Sequence, residues 1–330
     1  MMIHKSLNDI YHLYDSFLID VYGVIYDGRD LYPGVLDTLA RIKDSGRSVV
    51  ILSNMSLVAS VCMEQYARKG LLQGVHYDKF ISSGEAFKRT ISHHIPNARS
   101  CFQLFTSNVE IFRNSNIVET QTLQEADFAY VGLLDEVRMS FLMDDAYKKN
   151  GERVAIENVT STDVHDLAGL EEAAEILDIC LQHRKPLVVV NPDIFAVEYV
   201  SSGNGLQRRP VICQGAIGEF YEKMGGQTLY FGKPHHPIYD YAMSFLDGCK
   251  KTAMVGDTPW TDILGGNMFG VDTILTLTGI SMEFFRAMDP ELSVEEKFDK
   301  LLETISPKMT LASLRSASQR PTHIVEAFAS

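Results

Sequence analysis

Five residues that lie far apart in the chain have the side chains for one kind of chemistry: Asp20, Ser53, Lys233, Asp257 and Asp262. Asp20 closes the apolar run FLID. Ser53 and Asn54 close SVVILSN, Lys233 follows YFG, and Asp257 and Asp262 frame DTPWTD. Carboxylates are the hard oxygen ligands that Mg²⁺ takes. A carboxylate is also a nucleophile that can form an aspartyl-phosphate. A lysine and a hydroxyl offset charge on the oxygens of a phosphoryl group in transfer. Without such cations, a carboxylate approaching an anionic phosphoryl group is repelled. Each residue also has a plainer reading taken alone. An Asp after a strand is often a turn former or helix cap, Ser-Asn can simply start a loop, and a lysine can simply be solvated.

The elements that must position these groups can be read from the spacing of apolar residues. Phe17 to Ile19 is a short apolar strand. Pro33, the helical spacing of Val35, Leu39 and Ile42, and Gly46 mark a helix from start to stop. SVVILSN (48–54) is a β-branched run suited to a strand buried on both faces. Strand, helix, strand at this spacing is a parallel βαβ unit. The pattern returns in TLYFGKP (228–234), KTAMVGDT (251–258) and DTILTLTG (272–279), with helices predicted at 238–246 and 262–270. PTHIVEAF (321–328) reads as an edge strand after a helical stretch at 281–320. Strands are predicted again within 100–106, 127–133, 153–159 and 186–191, with a helix at 170–183. QGAIGEF (214–220) reads as a structural turn.

These runs give an α/β protein: a doubly wound, Rossmann-like parallel sheet core with an α/β cap inserted into it. The expected divisions are 1–84 for the first part of the core, 85–226 for the cap and 227–330 for the second part of the core. In such sheets ligands bind beyond the carboxyl ends of the strands. Asp20, Ser53, Lys233 and Asp257 are therefore predicted to converge on one crevice.

Composition narrows the partners. The 330 residues are 45% apolar and 22% charged, with a formal net charge of −13. That charge argues against a nucleic-acid surface or an anionic membrane surface, since both require basic patches. It leaves a small anionic substrate open. The five cysteines are scattered without a CxxC pair, which fits buried thiols in a reducing compartment. No apolar run approaches 18 residues, so a cytoplasmic protein is expected.

Asp20-x-x-Gly-Val, Ser53-Asn54, Gly-Lys233-Pro and Gly-Asp257-Thr-x-x-Thr-Asp262 occur in this order. Together they resemble the four motifs of the haloacid dehalogenase-like (HAD) superfamily. Gly-Lys233-Pro and Asn191-Pro-Asp193 are further similar to its class IIA branch of sugar, nucleotide and p-nitrophenyl phosphatases. The resemblance implies Mg²⁺ and an aspartyl-phosphate route on a small phosphorylated metabolite. Asp20 would be the nucleophile and a metal ligand. The Tyr22 backbone carbonyl, Asp257 and Asp262 would complete the metal shell. Ser53, Asn54 and Lys233 would hold the phosphoryl group, with Asn191 and Asp193 on the substrate side of the cap. Caps of this branch often make dimer contacts, so a homodimer is a further expectation.

One position departs from the family pattern. Its phosphatases carry an acid/base Asp two residues after the nucleophile, where this chain has Tyr22. A phenol, with an ordinary pKa of about 10, is a poor base near neutrality. Losing a positioned acid/base typically costs about 10²–10⁴ in rate. Two readings follow: a phosphatase of weak or specialised turnover, or a catalytically impaired relative that binds a phosphorylated ligand. Asp27, Asp193 and His165 are the candidates for a substitute group.

Overall fold

The computed structural model describes residues 2–104, 109–132, 171–202, 205–304, 306 and 310–329. The strand predicted at 153–159, and His165, lie outside these. The chain forms two compact units. One comprises Met1–Ser53, Ala59–Ser82 and Lys233–Ser330, and the other comprises Asn54–Val58 and Ser83–Gly232.

The first unit is built on a seven-stranded sheet. Its strands, numbered through the whole chain, are β1 (Met2–Ser6), β2 (Ser16–Ile19), β3 (Ser48–Ser53), β4 (Lys79–Ser82), β12 (Thr252–Gly256), β13 (Asp272–Thr276) and β14 (His323–Ala327). They are ordered β1-β14-β13-β12-β2-β3-β4, and every pairing is parallel. The order runs one way from β2 through β3 to β4 and the other way from β12 through β13 to β14. The reversal between β2 and β12 is the switch point at which doubly wound sheets bind ligands.

The apolar runs explain why this sheet forms. Phe17, Leu18, Ile19, Val49, Val50, Ile51, Ala253, Met254 and Val255 are fully buried. Burying each large aliphatic side chain contributes about 1.5–3 kcal/mol. The helix Val35–Asp44 buries Val35, Thr38, Leu39 and Ile42, the stripe its spacing foretold. β14 is an interior strand of the sheet, because β1 pairs outside it. The predicted helix at 262–270 divides into a π-helical turn, Pro259–Ile263, and an α-helix, Leu264–Phe269.

The second unit holds a five-stranded parallel sheet and an antiparallel pair. The sheet comprises β5 (Ser100–Leu104), β6 (Val118–Glu119), β7 (Phe128–Val131), β8 (Leu187–Val189) and β11 (Thr228–Tyr230), in the order β11-β8-β7-β5-β6. The antiparallel pair is β9 (Phe195–Ser202) with β10 (Gly205–Ile212). The core of the unit gathers Phe87, Phe128, Tyr130 and Phe231, with the rings of Phe87 and Phe231 edge to face at 5.1 Å.

Two further expectations are corrected here. β11 was expected in the core sheet, with residues 227–232 assigned to the core. It pairs instead with β8 in the inserted unit, and the chain enters the first unit at Lys233. QGAIGEF is not a turn. It opens the helix Gln214–Lys223, in which Gly215 packs against the backbone of Pro192 and Asp193, where a Cβ would meet the Pro192 carbonyl oxygen at 2.0 Å.

Candidate active site

Strand register brings the first three groups to one end of the seven-stranded sheet. Ile19 pairs with Val255 on one side and with Ile51 on the other, so Asp20, Ser53 and Asp257 all follow the carboxyl ends of neighbouring strands. The Asp20 amide donates to the Val255 carbonyl at 2.9 Å, which fixes the start of the loop. Ser53 is the last residue of β3 and is 3% exposed.

Lys233 arrives by a different route, at the re-entry of the chain from the inserted unit. Its Nζ lies 2.6 Å from Asp20 Oδ1 and 2.8 Å from Asp262 Oδ1. Burial opposes the charge of this ammonium, but Asp20 and Asp262 overcome that and hold its pKa above the usual lysine value. A salt bridge this deep loses most of its gain to desolvation, so its worth lies in placing the groups.

Asp257 is anchored through both oxygens. Thr258 Oγ1 donates to Oδ1 at 2.9 Å, and the Ile280 amide donates to Oδ2 at 2.6 Å. Ile280 lies in the first turn of the helix Gly279–Arg286, whose N-terminal dipole favours an anion. Even so, burial pushes Asp257 up to about 7, and the Asp20 carboxylate adds to the rise. Asp262 comes from the π-turn, and its Oδ2 accepts from the Thr258 amide at 3.1 Å. Burial first and Asp20 second push its carboxyl well above the usual carboxylate range.

Two glycines make room for this bed. A Cβ on Gly256 would stand 2.1 Å from Asp262 Cγ. Gly23, with φ +84°, would place one 2.1 Å from Asp257 Oδ2. Thr258, Gly256 and Ile280 were not singled out from the sequence. Thr258 lay in view within DTPWTD, whereas Ile280 depends on a contact 23 residues away.

Ligand oxygens of Asp20, Asp257 and Asp262 all lie within 4.8 Å of one another. Asp262 Oδ1 is buried and accepts no aligned hydrogen bond among the described residues. Lys233 Nζ at 2.8 Å is its ionic partner. Three carboxylates against one ammonium, with two of the carboxyls pushed up by crowding and burial, form a donor set that fits a divalent cation. The oxygens are hard, and a cation would supply the missing positive charge. Of the four charged residues, Asp20 is the least buried, at 8% exposure against 1–3% for the others. It is thus the group best placed to meet an incoming molecule.

Tyr22 stands two residues beyond Asp20, in a loop curled around the Val21 carbonyl, which accepts from the amides of Val24, Ile25 and Tyr26. The remaining predicted residues belong to the inserted unit. Asn54 Nδ2 donates to Asp193 Oδ1 at 2.9 Å, and Ser83 Oγ donates to Asn54 Oδ1 at 3.3 Å. Asn191 Oδ1 accepts from the Asp193 amide at 3.0 Å, a local turn within NPD. His235 takes the N-cap position of the helix His236–Met243. Trp260 is 3% exposed and packs edge to face on Phe284, a core contact.

Two family models match the chain. Residues 17–117 match "Haloacid dehalogenase-like hydrolase", and residues 230–330 match "HAD-hydrolase-like". Between them these stretches contain Asp20, Ser53, Lys233, Asp257 and Asp262.

The chain belongs to the haloacid dehalogenase-like hydrolases.

Among the relatives of this HAD protein, phosphoglycolate phosphatase 2 of Arabidopsis thaliana is 26% identical over 298 residues, covering 86% of this chain and 89% of the relative. Human chronophin is 26% identical over 284 residues, covering 84% and 85%. A possible sugar phosphatase from Cytophaga hutchinsonii superposes with a TM-score of 0.64 at 22% identity, covering 100% of this chain and 99% of that one. The p-nitrophenyl phosphatase of Archaeoglobus fulgidus gives 0.62 at 20% identity, covering 96% and 97%. At these identities the structural likeness establishes the fold. No helix among the described residues is long and apolar enough to cross a membrane.

Proposed function

We propose that this HAD protein is a Mg²⁺-dependent phosphomonoester hydrolase acting on a small phosphorylated metabolite through an aspartyl-phosphate on Asp20. The observation that carries the reading is the buried bridge of Lys233 to Asp20 and Asp262 beside Asp257, at the carboxyl edge of a parallel sheet. It is supported by the names of relatives, which include phosphoglycolate phosphatases and a 5'-nucleotidase. Sugar phosphates and nucleotides therefore belong in the panel of esters to test.

In this reading Asp20 attacks phosphorus with the carboxylate oxygen that is least enclosed. Lys233 is positioned to neutralise charge on the transferring oxygens while it keeps Asp20 oriented. Ser53, at the neighbouring strand end, contributes its hydroxyl to the phosphoryl group. Asp20, Asp257, Asp262 and the Tyr22 carbonyl would hold Mg²⁺, which supplies charge neutralisation and orientation of the phosphoryl oxygens. Asn54 and Asp193 act as a hydrogen-bonded pair in the inserted unit, on the substrate-recognition side of the reaction. We place the reaction in the reducing cytoplasm, to which five free cysteines are suited. The homodimer stays part of this reading by analogy with the branch.

The test is phosphate release by purified protein with Mg²⁺ across phosphomonoesters, with EDTA and Asp20→Asn as controls. Release that is lost in both controls supports the reading. A second reading, a phospho-ligand binder without turnover, is favoured by Tyr22 in the acid position. It predicts saturable binding of phosphate or vanadate with no release from any ester.

A further inference from the structure

Attack by Asp20 makes an Oδ–P bond and breaks the P–O bond to the leaving group, whose oxygen keeps the electron pair. That oxygen either receives a proton as it departs or leaves as an anion. Asp27 and Tyr22, in the loop after Asp20, have the chemistry to give a proton, and the structure gives both of them contacts within that loop.

Asp27 is one of them. Its Oδ1 accepts from the Arg29 amide at 2.7 Å and from the Asp30 amide at 2.8 Å, tying the 27–30 turn together. Tyr22 is the other. Its hydroxyl lies over Gly28, so close that a Cβ there would stand 2.3 Å from the phenol oxygen. Its ring meets Tyr26 edge to face at 6.1 Å. Tyr26 meets Tyr66 in the same way at 5.5 Å, and Tyr66 stacks on Phe80 at 5.9 Å. Tyr26 also donates its hydroxyl to the Gly28 carbonyl at 2.7 Å, which holds the turn against the row. The phenol at position 22 is thus the end of an aromatic row that reaches back to β4. The other carboxylates beside Asp20 are occupied by Thr258, Ile280 and Lys233.

Building on the phosphatase reading above, we propose that this site is specialised for phosphoryl donors whose leaving oxygen departs as a stabilised anion: acyl phosphates and aryl or enol phosphates. Alkyl esters, including hexose phosphates and nucleoside monophosphates, are poor substrates. The first half-reaction turns the donor into the leaving anion and the Asp20 acyl phosphate. In the second, water attacks phosphorus, the P–Oδ bond breaks, and the electron pair returns to the Asp20 carboxylate. The water proton ends on the released phosphate. The Asp20 carboxylate is itself a weakly basic leaving group, so this half needs no acid.

The test is kcat/KM for the full chain with Mg²⁺ on acetyl phosphate, a series of substituted phenyl phosphates and glycerol phosphate, repeated with Tyr22→Phe. The expected result is a steep fall as the leaving oxygen becomes more basic. Acetyl and p-nitrophenyl phosphate should exceed glycerol phosphate by about 10³-fold or more, the scale of a missing acid/base, and Tyr22→Phe should keep the same slope. A shallow dependence, with glycerol phosphate within about tenfold of p-nitrophenyl phosphate, overturns the proposal. If Tyr22→Phe then steepens that dependence, the Tyr22 hydroxyl is the acid. If it does not, the acid comes from elsewhere in the chain. Phosphate release from none of these compounds refutes the phosphatase reading, and this inference with it.

Discussion

Lys233 Nζ and Asp20 Oδ1 lie 2.6 Å apart, joining two residues that are 213 positions apart in the chain. The lysine is 2% exposed, so its charge is screened by protein groups and hardly by water. This contact orients the Asp20 carboxylate, and it lets three carboxylates approach one another.

Removing the ammonium should therefore cost both stability and rate. Lys233→Met leaves the Asp20 and Asp262 carboxylates facing each other in a buried place. Breaking one side of a buried ion pair typically costs about 3–5 kcal/mol, and losing one preorganised electrostatic group about 10²–10³ in kcat. Urea denaturation and phosphate-release rates check the two halves separately. Millimolar Mg²⁺ should restore part of the stability and little of the rate.

The pH dependence of stability follows from Asp257. Its folded pKa is raised to about 7 by burial, and further by Asp20, from an ordinary carboxylate value. A raised carboxyl binds more protons in the folded state than in the unfolded one. Its contribution is therefore full below about pH 4 and lost as pH rises through about 7. Metal-free protein should lose thermal stability between about pH 4 and pH 7. Added Mg²⁺ should raise Tm more at pH 8 than at pH 5. Differential scanning calorimetry with EDTA or Mg²⁺ measures this, and Asp257→Asn should flatten the metal-free profile.

Gly256 provides a test that leaves every ligand in place. In Gly256→Ala the new methyl meets Asp262 Cγ at 2.1 Å, and the carboxylate must move. The expected result is weaker Mg²⁺ binding by calorimetry, with phosphate release reduced by about tenfold or more, in keeping with the sensitivity of such sites to small displacements. Overpacking of this kind costs about 1–3 kcal/mol in stability.

Much of this arrangement was legible in the sequence. The runs before Asp20, Ser53 and Asp257 are continuous, β-branched and bounded, and a parallel sheet needs its strands to look like that. Three polar residues at three such strand ends already imply one crevice. Lys233 reaches Asp20 by a route other than the expected one. YFGKP looks like another strand of the same sheet, but which sheet a three-residue strand joins is decided by a partner, Leu187–Val189, forty residues earlier. β1 escaped notice because MIHKS has no apolar alternation and exists by pairing with residues 321 positions away, such as His323 opposite Met2. QGAIGEF was misread because its two glycines suggested a turn. They serve close packing against the Pro192 backbone and the Tyr230 ring, which only the tertiary structure reveals. The commitment of Asp27 to its own turn was likewise hidden, since a carboxylate bound to local amides looks the same in sequence as one facing a substrate.

The phosphatase reading requires Asp20 to become covalently phosphorylated during turnover. The direct measurement is acid quench of the protein reacting with p-nitrophenyl phosphate and Mg²⁺, followed by borohydride reduction and peptide mass spectrometry. Homoserine is expected at position 20, absent without substrate. Unmodified Asp20 in every quenched sample, with phosphate released at an undiminished rate by Asp20→Asn, would contradict it.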